Sequence, residues 1–360
     1  MFTQALVVAL VSTAAHACTG TISSLTDVAA AVLCTTININ SFTVPAGQTF
    51  TLALLAGTTV NILGDITFGE KSWAGPLFSI SGSNITFNGN GHTFNGNGQF
   101  YWDGKGSSSG AITKPRPMMK VKTSGTFTNL KILNSPAQVF SVDNAAPLTI
   151  SAITIDDSLG DQPNSMSAGQ PAGANTDGFD VGNQAPLTIT GCTVMNQDDC
   201  IAINSGAGVS FLNNHCSGGH GISIGSVDTG DVVSNITISN NVVTSGANGL
   251  RIKTVATATS GSVSGITYSG NTVSGVTKFG LLIDQSYPAT LGTPGNGTIL
   301  SAINFVGTNT FTIASGVVPV AVNCGSGSCQ GAWNWAGLKV TGGAANKINY
   351  AGITGFSLSG

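Results

Sequence analysis

Charge is what this sequence has least of. Asp, Glu, Lys and Arg make up 8 % of the 360 residues, 12 of them basic and 15 acidic, for a net charge of −3. With neither a basic stripe nor an arginine-rich arm, the composition speaks against nucleic acid or a membrane surface as a partner. Helical periodicity is also scarce, which excludes bundles and long helices. No clustered Cys/His spacing marks a zinc site. What is there instead is Gly, 49 residues of it, with Val, Ile, Thr, Ser and Asn filling most of the remainder. Such a chain draws its solubility from amides, hydroxyls and short turns, and its β-branched content favours strands. The length allows either two ordinary domains or one elongated one.

The opening run MFTQALVVALVSTAAHA is apolar, too short to span a bilayer, and ends in the small-x-small pattern Ala15-His16-Ala17. It reads as a signal peptide over residues 1–17, leaving one domain over 18–360, although the basic n-region is missing and the amino terminus must supply that charge. Secretion is expected. Sequons at Asn84, Asn235 and Asn296 fit that compartment, as do seven cysteines. Proximity and register pair Cys18 with Cys34, Cys200 with Cys216 and Cys324 with Cys329, leaving Cys192 a free buried thiol.

Strand-like segments recur along the chain: SNITF (83–87), APLTI (146–150 and 185–189), GVSFL (208–212), SNITI (234–238), SGITY (264–268) and SAINF (301–305). Each ends near Asn or Gly, the mark of a strand followed by a tight turn. A sharper series, small-apolar-variable-apolar, begins at Gly178, Cys200, Gly221, Gly249 and Gly280, at separations of 21 to 31 residues. A propeller needs a period near 40 and a sandwich needs hairpins. Strand-and-turn repeats of this length instead predict an all-β fold, a single-stranded right-handed parallel β-helix with one coil per repeat. Ser24 and Asp27, at capping-box spacing ahead of an apolar stretch, predict a short helix capping its N-terminal end.

Equivalent residues of successive coils lie about 4.8 Å apart. Alignment on the small residue sets Asp177, Asp199 and His220 at one position on three consecutive coils, with Asp198 one residue earlier. The next coil offers Arg251 and Lys253 on one strand face, and the one after leads to Tyr287. An isolated Asp-Asp is ordinarily a solvated turn. Stacked with a third acid, it is a carboxylate cluster in which repulsion holds one group protonated while another stays ionised, as glycoside hydrolysis requires. Strict alternation turns Asp177, Asp199 and His220 inward, so a bend or bulge is expected at the small residue, where Gly178, Gly221 and Gly249 permit unusual dihedrals.

At NTDGFD (175–180), NQDDC (196–200), GGHGISIG (218–225), RIK (251–253) and QSY (285–287) the chain resembles the fungal endopolygalacturonases of glycoside hydrolase family 28. The resemblance extends through YWDGKG (101–106) and LNSPAQVFSV (133–142). It implies a parallel β-helix, no metal or organic cofactor, and inverting hydrolysis of α-1,4 linkages in polygalacturonate. It implies further that Asp198 is the general acid, that Asp177 and Asp199 activate water, and that His220 tunes the acid. Arg251 and Lys253 then grip substrate carboxylate, and Tyr287 contacts the sugar. A monomer is expected, with plant inhibitor proteins as a further class of partner. Many relatives carry another cysteine pair near the C-terminus, whereas this chain ends KINYAGITGFSLSG. An exo-acting enzyme or a xylogalacturonan hydrolase keeps the same aspartates, and a silent pectin-binding β-helix is the rival from another class.

Overall fold

Segments that alternate small or polar with apolar residues can bury one face of a strand but no face of a helix. A computed structural model describes residues 16–110 and 112–356, and the expected signal peptide falls outside them except for the backbone of its last two residues. Sheets of 21 and 11 strands run along the molecule, with a two-stranded ribbon near one end. Strand pairing follows coil after coil in parallel, the right-handed β-helix that the repeats predict.

The repeats stack in register. Thr86, Thr126, Thr149, Thr188, Ser210, Thr237, Thr267 and Asn304 are ladder partners in succession. They include every SNITF-like segment and one more, at 124–128, that the sequence pattern passes over. The residue after each, from Phe87 to Phe305, is buried in a continuous apolar column. Single residues in left-handed backbone turn the chain onto this face, among them Asn84 (φ 54°) and Asn235 (φ 55°). Asn tolerates that region because its short polar side chain bonds locally. Two of the three sequon asparagines therefore have a conformational reason to be Asn, and both are exposed.

A second column is polar. The backbone N–H of Cys192 donates to Asn214 Oδ1 at 2.8 Å, that of Asn214 to Asn241 at 2.9 Å, that of Asn241 to Asn271 at 3.1 Å and that of Asn271 to Asn309 at 3.1 Å. The side-chain amides in turn donate to the carbonyls of Ile189, Phe211, Ile238 and Tyr268. These asparagines are buried, and the ladder supplies the partners that burial demands.

The predicted cap is a 3-10 turn, Leu25–Asp27, running into a four-residue helix, Val28–Ala31. The capping box is only half realised. Asp27 reaches back to the Ser23 N–H at 2.9 Å, while Ser24 Oγ bonds the Asp27 carboxylate rather than a helix amide. Ala31 packs so tightly on the first strand that a Cβ on Gly20 would stand 2.7 Å from its Cα. All three expected disulfides form, and Cys192 is a buried free thiol. The far end is closed by aromatics. Trp333 and Trp335 are buried, Tyr350 packs 4.6 Å from Trp333, and Phe356 packs 5.9 Å from Trp335.

Candidate active site

Register sets the site. Ser141, Asp180, Ala202, Ser223, Arg251 and Leu282 form one outward column on the strands Phe140–Val142, Phe179–Gly182, Asp199–Ala207, Gly221–Val227, Asn248–Val255 and Phe279–Tyr287. The expected irregularity is present, but it sits at Cys200. Asp199 pairs with Gly221 and Ile201 with Ile222, which leaves Cys200 as the extra residue. Of the three glycines credited with unusual dihedrals, only Gly221 has a positive φ, 83°. Gly178 and Gly249 serve close approach instead: a Cβ on either would stand 2.5 Å from the backbone oxygen of the next coil. Gly219 is needed for the same reason, its Cβ direction being blocked by Asp198 O, which accepts the His220 N–H at 2.8 Å.

The other residues of the two acidic motifs stitch them together. Asn196 Nδ2 donates to Thr176 O at 2.7 Å and to Asp199 O at 2.9 Å. Thr176 Oγ1 donates to Gln197 Oε1 and accepts the Gln197 N–H, both at 2.9 Å. NTD and NQDD are therefore one folded unit across two coils.

Within that unit Asp198 accepts three hydrogen bonds or contacts: Asn175 Nδ2 on Oδ2 at 2.9 Å, and the Asp199 N–H and His220 Nδ1 on Oδ1, each at 2.8 Å. Asp199 is fully buried. Its Oδ1 accepts Ser223 Oγ at 2.7 Å and Arg251 Nη2 at 2.5 Å, and its Oδ2 accepts Lys253 Nζ at 2.8 Å. Both cations expected on substrate thus hold Asp199, though Lys253 also lines the cleft and lies 5.2 Å from the centre of the Tyr287 ring. Oxygens of Asp198 and Asp199 and a His220 ring nitrogen fall within 4.8 Å of one another. That donor set already faces two cations of its own.

Electrostatics separates the acids. Burial pushes Asp177 well above the ordinary carboxylate range, and the charges of Asp198, Asp180 and Asp199 push it the same way. Its Oδ1 is buried without a partner. Burial also acts upward on Asp198, but the hydrogen bond and charge of His220, with Lys253 and Arg251 behind, outweigh it and leave that carboxyl below its usual value.

Asp177, Asp198, Lys253 and Tyr287 share a recess of about 290 Å³ with two residues that sequence reasoning missed, Asp180 and Gln138. Asp180 is raised to about 7, by burial first and then by Asp199 and Asp198. The same parity that turns Arg251 outward would have found it. Upstream, Asp180 and Gln138 also line a recess of about 320 Å³ with Arg116 and Ser141. Downstream, Tyr287 joins one of about 200 Å³ with His220, Arg251 and Lys278. Shared walls make the three a continuous cleft along the coils. It brings together every site residue the sequence nominates except Asp199, which lies beneath its floor.

Comparisons with known proteins point to one family. The family model for glycosyl hydrolases family 28 matches residues 34–355. Endopolygalacturonase B of Aspergillus oryzae is 44 % identical over 321 residues, covering 87 % of this chain and 85 % of that protein. The structure of endopolygalacturonase I from Stereum purpureum, complexed with two galacturonates, is 48 % identical with a TM-score of 0.87, covering 93 % of this chain and 98 % of that one. Endo-xylogalacturonan hydrolase from Aspergillus tubingensis, at 21 % identity and a TM-score of 0.67 over 95 % of this chain and 100 % of that one, shares the fold. A family model that spans nearly the whole β-helix, with relatives 44 % and 48 % identical across it, places the chain in glycosyl hydrolases family 28.

Proposed function

We propose that the chain is a secreted endo-acting hydrolase of α-1,4-galacturonosyl linkages in polygalacturonate, working with inversion by general acid and base attack of water. The observation that carries it is the facing of Asp177 and Asp198 in one recess, backed by Arg251 and Lys253 on the buried Asp199. Every sugar of the substrate bears a carboxylate. A net-acidic protein meets it with local cations, Arg as a planar fork and Lys as a mobile point charge. Three disulfides fit an oxidising compartment.

In this mechanism Asp198 protonates the leaving glycosidic oxygen. His220 Nδ1 lies 2.8 Å from Asp198 Oδ1, and a bound sugar that excludes water from this carboxyl disfavours its ionised form and so favours the protonated form an acid needs. Asp177 takes the proton of the attacking water. Asp199 acts from below the floor, fixing the two cations and supplying negative charge behind Asp177. General acid–base assistance of this kind is worth about 10²–10⁴-fold.

One observation favours a second assignment. Burial and the neighbouring acids raise Asp177 well above the ordinary carboxylate range while His220 holds Asp198 below it, which suits Asp177 to the part of acid and the Asp198–His220 pair to that of base. The two separate on an aryl galacturonide, whose leaving group needs no proton. Asp198→Asn retains turnover of that substrate if Asp198 is the acid, whereas retention by Asp177→Asn instead overturns the assignment. Endo action is tested on polygalacturonate by viscosity against reducing ends. An early viscosity loss supports it; reducing ends without viscosity loss mean exo action, and neither change means a binding module. Proton NMR of the first anomer released tests inversion.

A further inference from the structure

The loop formed by residues 102–110 and 112–117 borders the upstream cleft and has no part in the chemistry above. It is anchored at its base, where the indole N–H of buried Trp102 donates to Ser135 O at 3.0 Å. Buried Lys114 donates to Asp103 Oδ1 at 2.8 Å and to Lys105 O at 2.7 Å. Lysine is almost never fully buried unless paired, so this loop is built to hold a shape.

What it holds is a chain of hydrogen bonds from the cleft wall to Asp198. Exposed Arg116 donates through Nη1 to Ser107 Oγ at 2.6 Å and through Nη2 to Ser108 Oγ at 3.2 Å. The Ser107 N–H donates to Asn175 Oδ1 at 2.9 Å, and Asn175 Nδ2 donates to Asp198 Oδ2 at 2.9 Å. Asn175 itself stands in left-handed backbone, φ 53°. Gly106 leaves the space for this approach, since a Cβ there would stand 2.5 Å from Asn175 Oδ1. The Ser107 amide fixes which end of the Asn175 side chain faces the acid: oxygen toward the loop, nitrogen toward Asp198. No carboxylate lies within ion-pair distance of Arg116 among the described residues, and its planar fork lines the upstream recess with Gln138 and Ser141.

We propose that Asn175 is a positioning residue for Asp198, and that the loop carrying Ser107 and Arg116 makes the alignment of that carboxyl depend on a uronate carboxylate occupying the upstream cleft. A carboxylate arriving on Arg116 draws guanidinium hydrogens away from the two serines and ties the loop to the bound chain. The Ser107 amide is then held on Asn175, and Asp198 Oδ2 keeps one orientation through the proton transfer. Binding energy from a remote sugar is thereby spent on orientation at the reacting bond, which raises kcat rather than only lowering KM.

This rests on the proton-transfer role of Asp198 given above, and the test separates the two. Wild type, Arg116→Gln and Asn175→Asp are compared on galacturonate oligomers from trimer to hexamer. Wild-type kcat is expected to climb once the oligomer is long enough to reach Arg116. In Arg116→Gln, an exposed change that leaves the core untouched, kcat becomes flat with length. Asn175→Asp keeps the acceptor for the Ser107 amide but loses the donor to Asp198. Its kcat falls by up to ~100-fold with KM little changed, and the limb of the pH profile that Asp198 governs moves to higher pH. The proposal is overturned by a wild-type kcat independent of length, by an Arg116→Gln variant that only raises KM, or by an Asn175→Asp profile that stays in place. Absence of hydrolysis of every oligomer by the wild type refutes the hydrolase function instead.

Discussion

Asp180→Asn should make the protein more stable, and by an amount that grows with pH. An unfolded aspartate releases its proton near 3.8, whereas Asp180, buried beside Asp199 and Asp198, keeps its own to about 7. Between those values the folded chain binds one proton more than the unfolded chain, so stability falls as pH rises. Below about pH 4 both states are protonated and there is no penalty; above about pH 7 the penalty is complete. The gap corresponds to about 4 kcal/mol, at ~1.4 kcal/mol per pH unit. Asparagine has the same shape and no proton to lose. Urea unfolding of both proteins at intervals from about pH 4 to 8 should therefore show the variant gaining ~1.4 kcal/mol per pH unit over wild type, then levelling off. Asp177, which feels the Asp180 charge, adds to the difference with the same sign. A stability difference that stays constant across the range would refute the electrostatic account of Asp180.

Lys253→Ala should cost stability as well as substrate affinity. It removes one of two cations from a fully buried carboxylate, a loss of about 3 kcal/mol or more that is measurable by denaturation without ligand; unchanged stability confines the lysine to binding. Asn241→Leu removes the acceptor of the Asn214 N–H and the donor to Phe211 O. At ~1–3 kcal/mol for each orphaned group, the urea midpoint should drop by the equivalent of ~2–6 kcal/mol, and a variant as stable as wild type would show the ladder to be dispensable. Lys114→Met leaves Asp103 without its lysine in a buried setting. It should unfold the loop locally, so that limited proteolysis cuts near residues 105–113 in the variant and spares wild type.

The architecture was legible because solenoids write it repeatedly. One alternation, met in SNITF and again in SAINF, was enough to predict the face on which Thr86 to Asn304 stack. The Gly178 to Gly280 series carried the site nearly as well: its apolar positions align as the ladder pairs them, while the bulge at Cys200 shifts the acids by one residue, so that Asp199 pairs with Gly221 rather than His220. What stayed hidden lies off that repeat. Asp180 occupies the variable slot of its segment, where the repeat marks it as pattern rather than chemistry. The pairing of Arg251 and Lys253 with Asp199 runs between coils and depends on side-chain conformation, which no spacing encodes. A lysine in a polar loop reads as solvated, so the burial of Lys114 left no trace in the sequence. No cysteine follows Cys329 in the sequence, and only packing shows Trp333 and Trp335 buried in the last coils with Tyr350 and Phe356 against them.

The asparagine ladder lies on the same coils that carry Asp199, His220, Arg251 and Leu282. Each rung takes its partner from the rung above and below, so those turns share one pitch and cannot slide individually. The ladder is a ruler: it sets how far a cation stands from an acid along the groove. Turns gained or lost beyond either end of it would lengthen or shorten the track offered to a polymer without altering that interval, whereas a turn inserted inside it would spoil the spacing on both flanks at once.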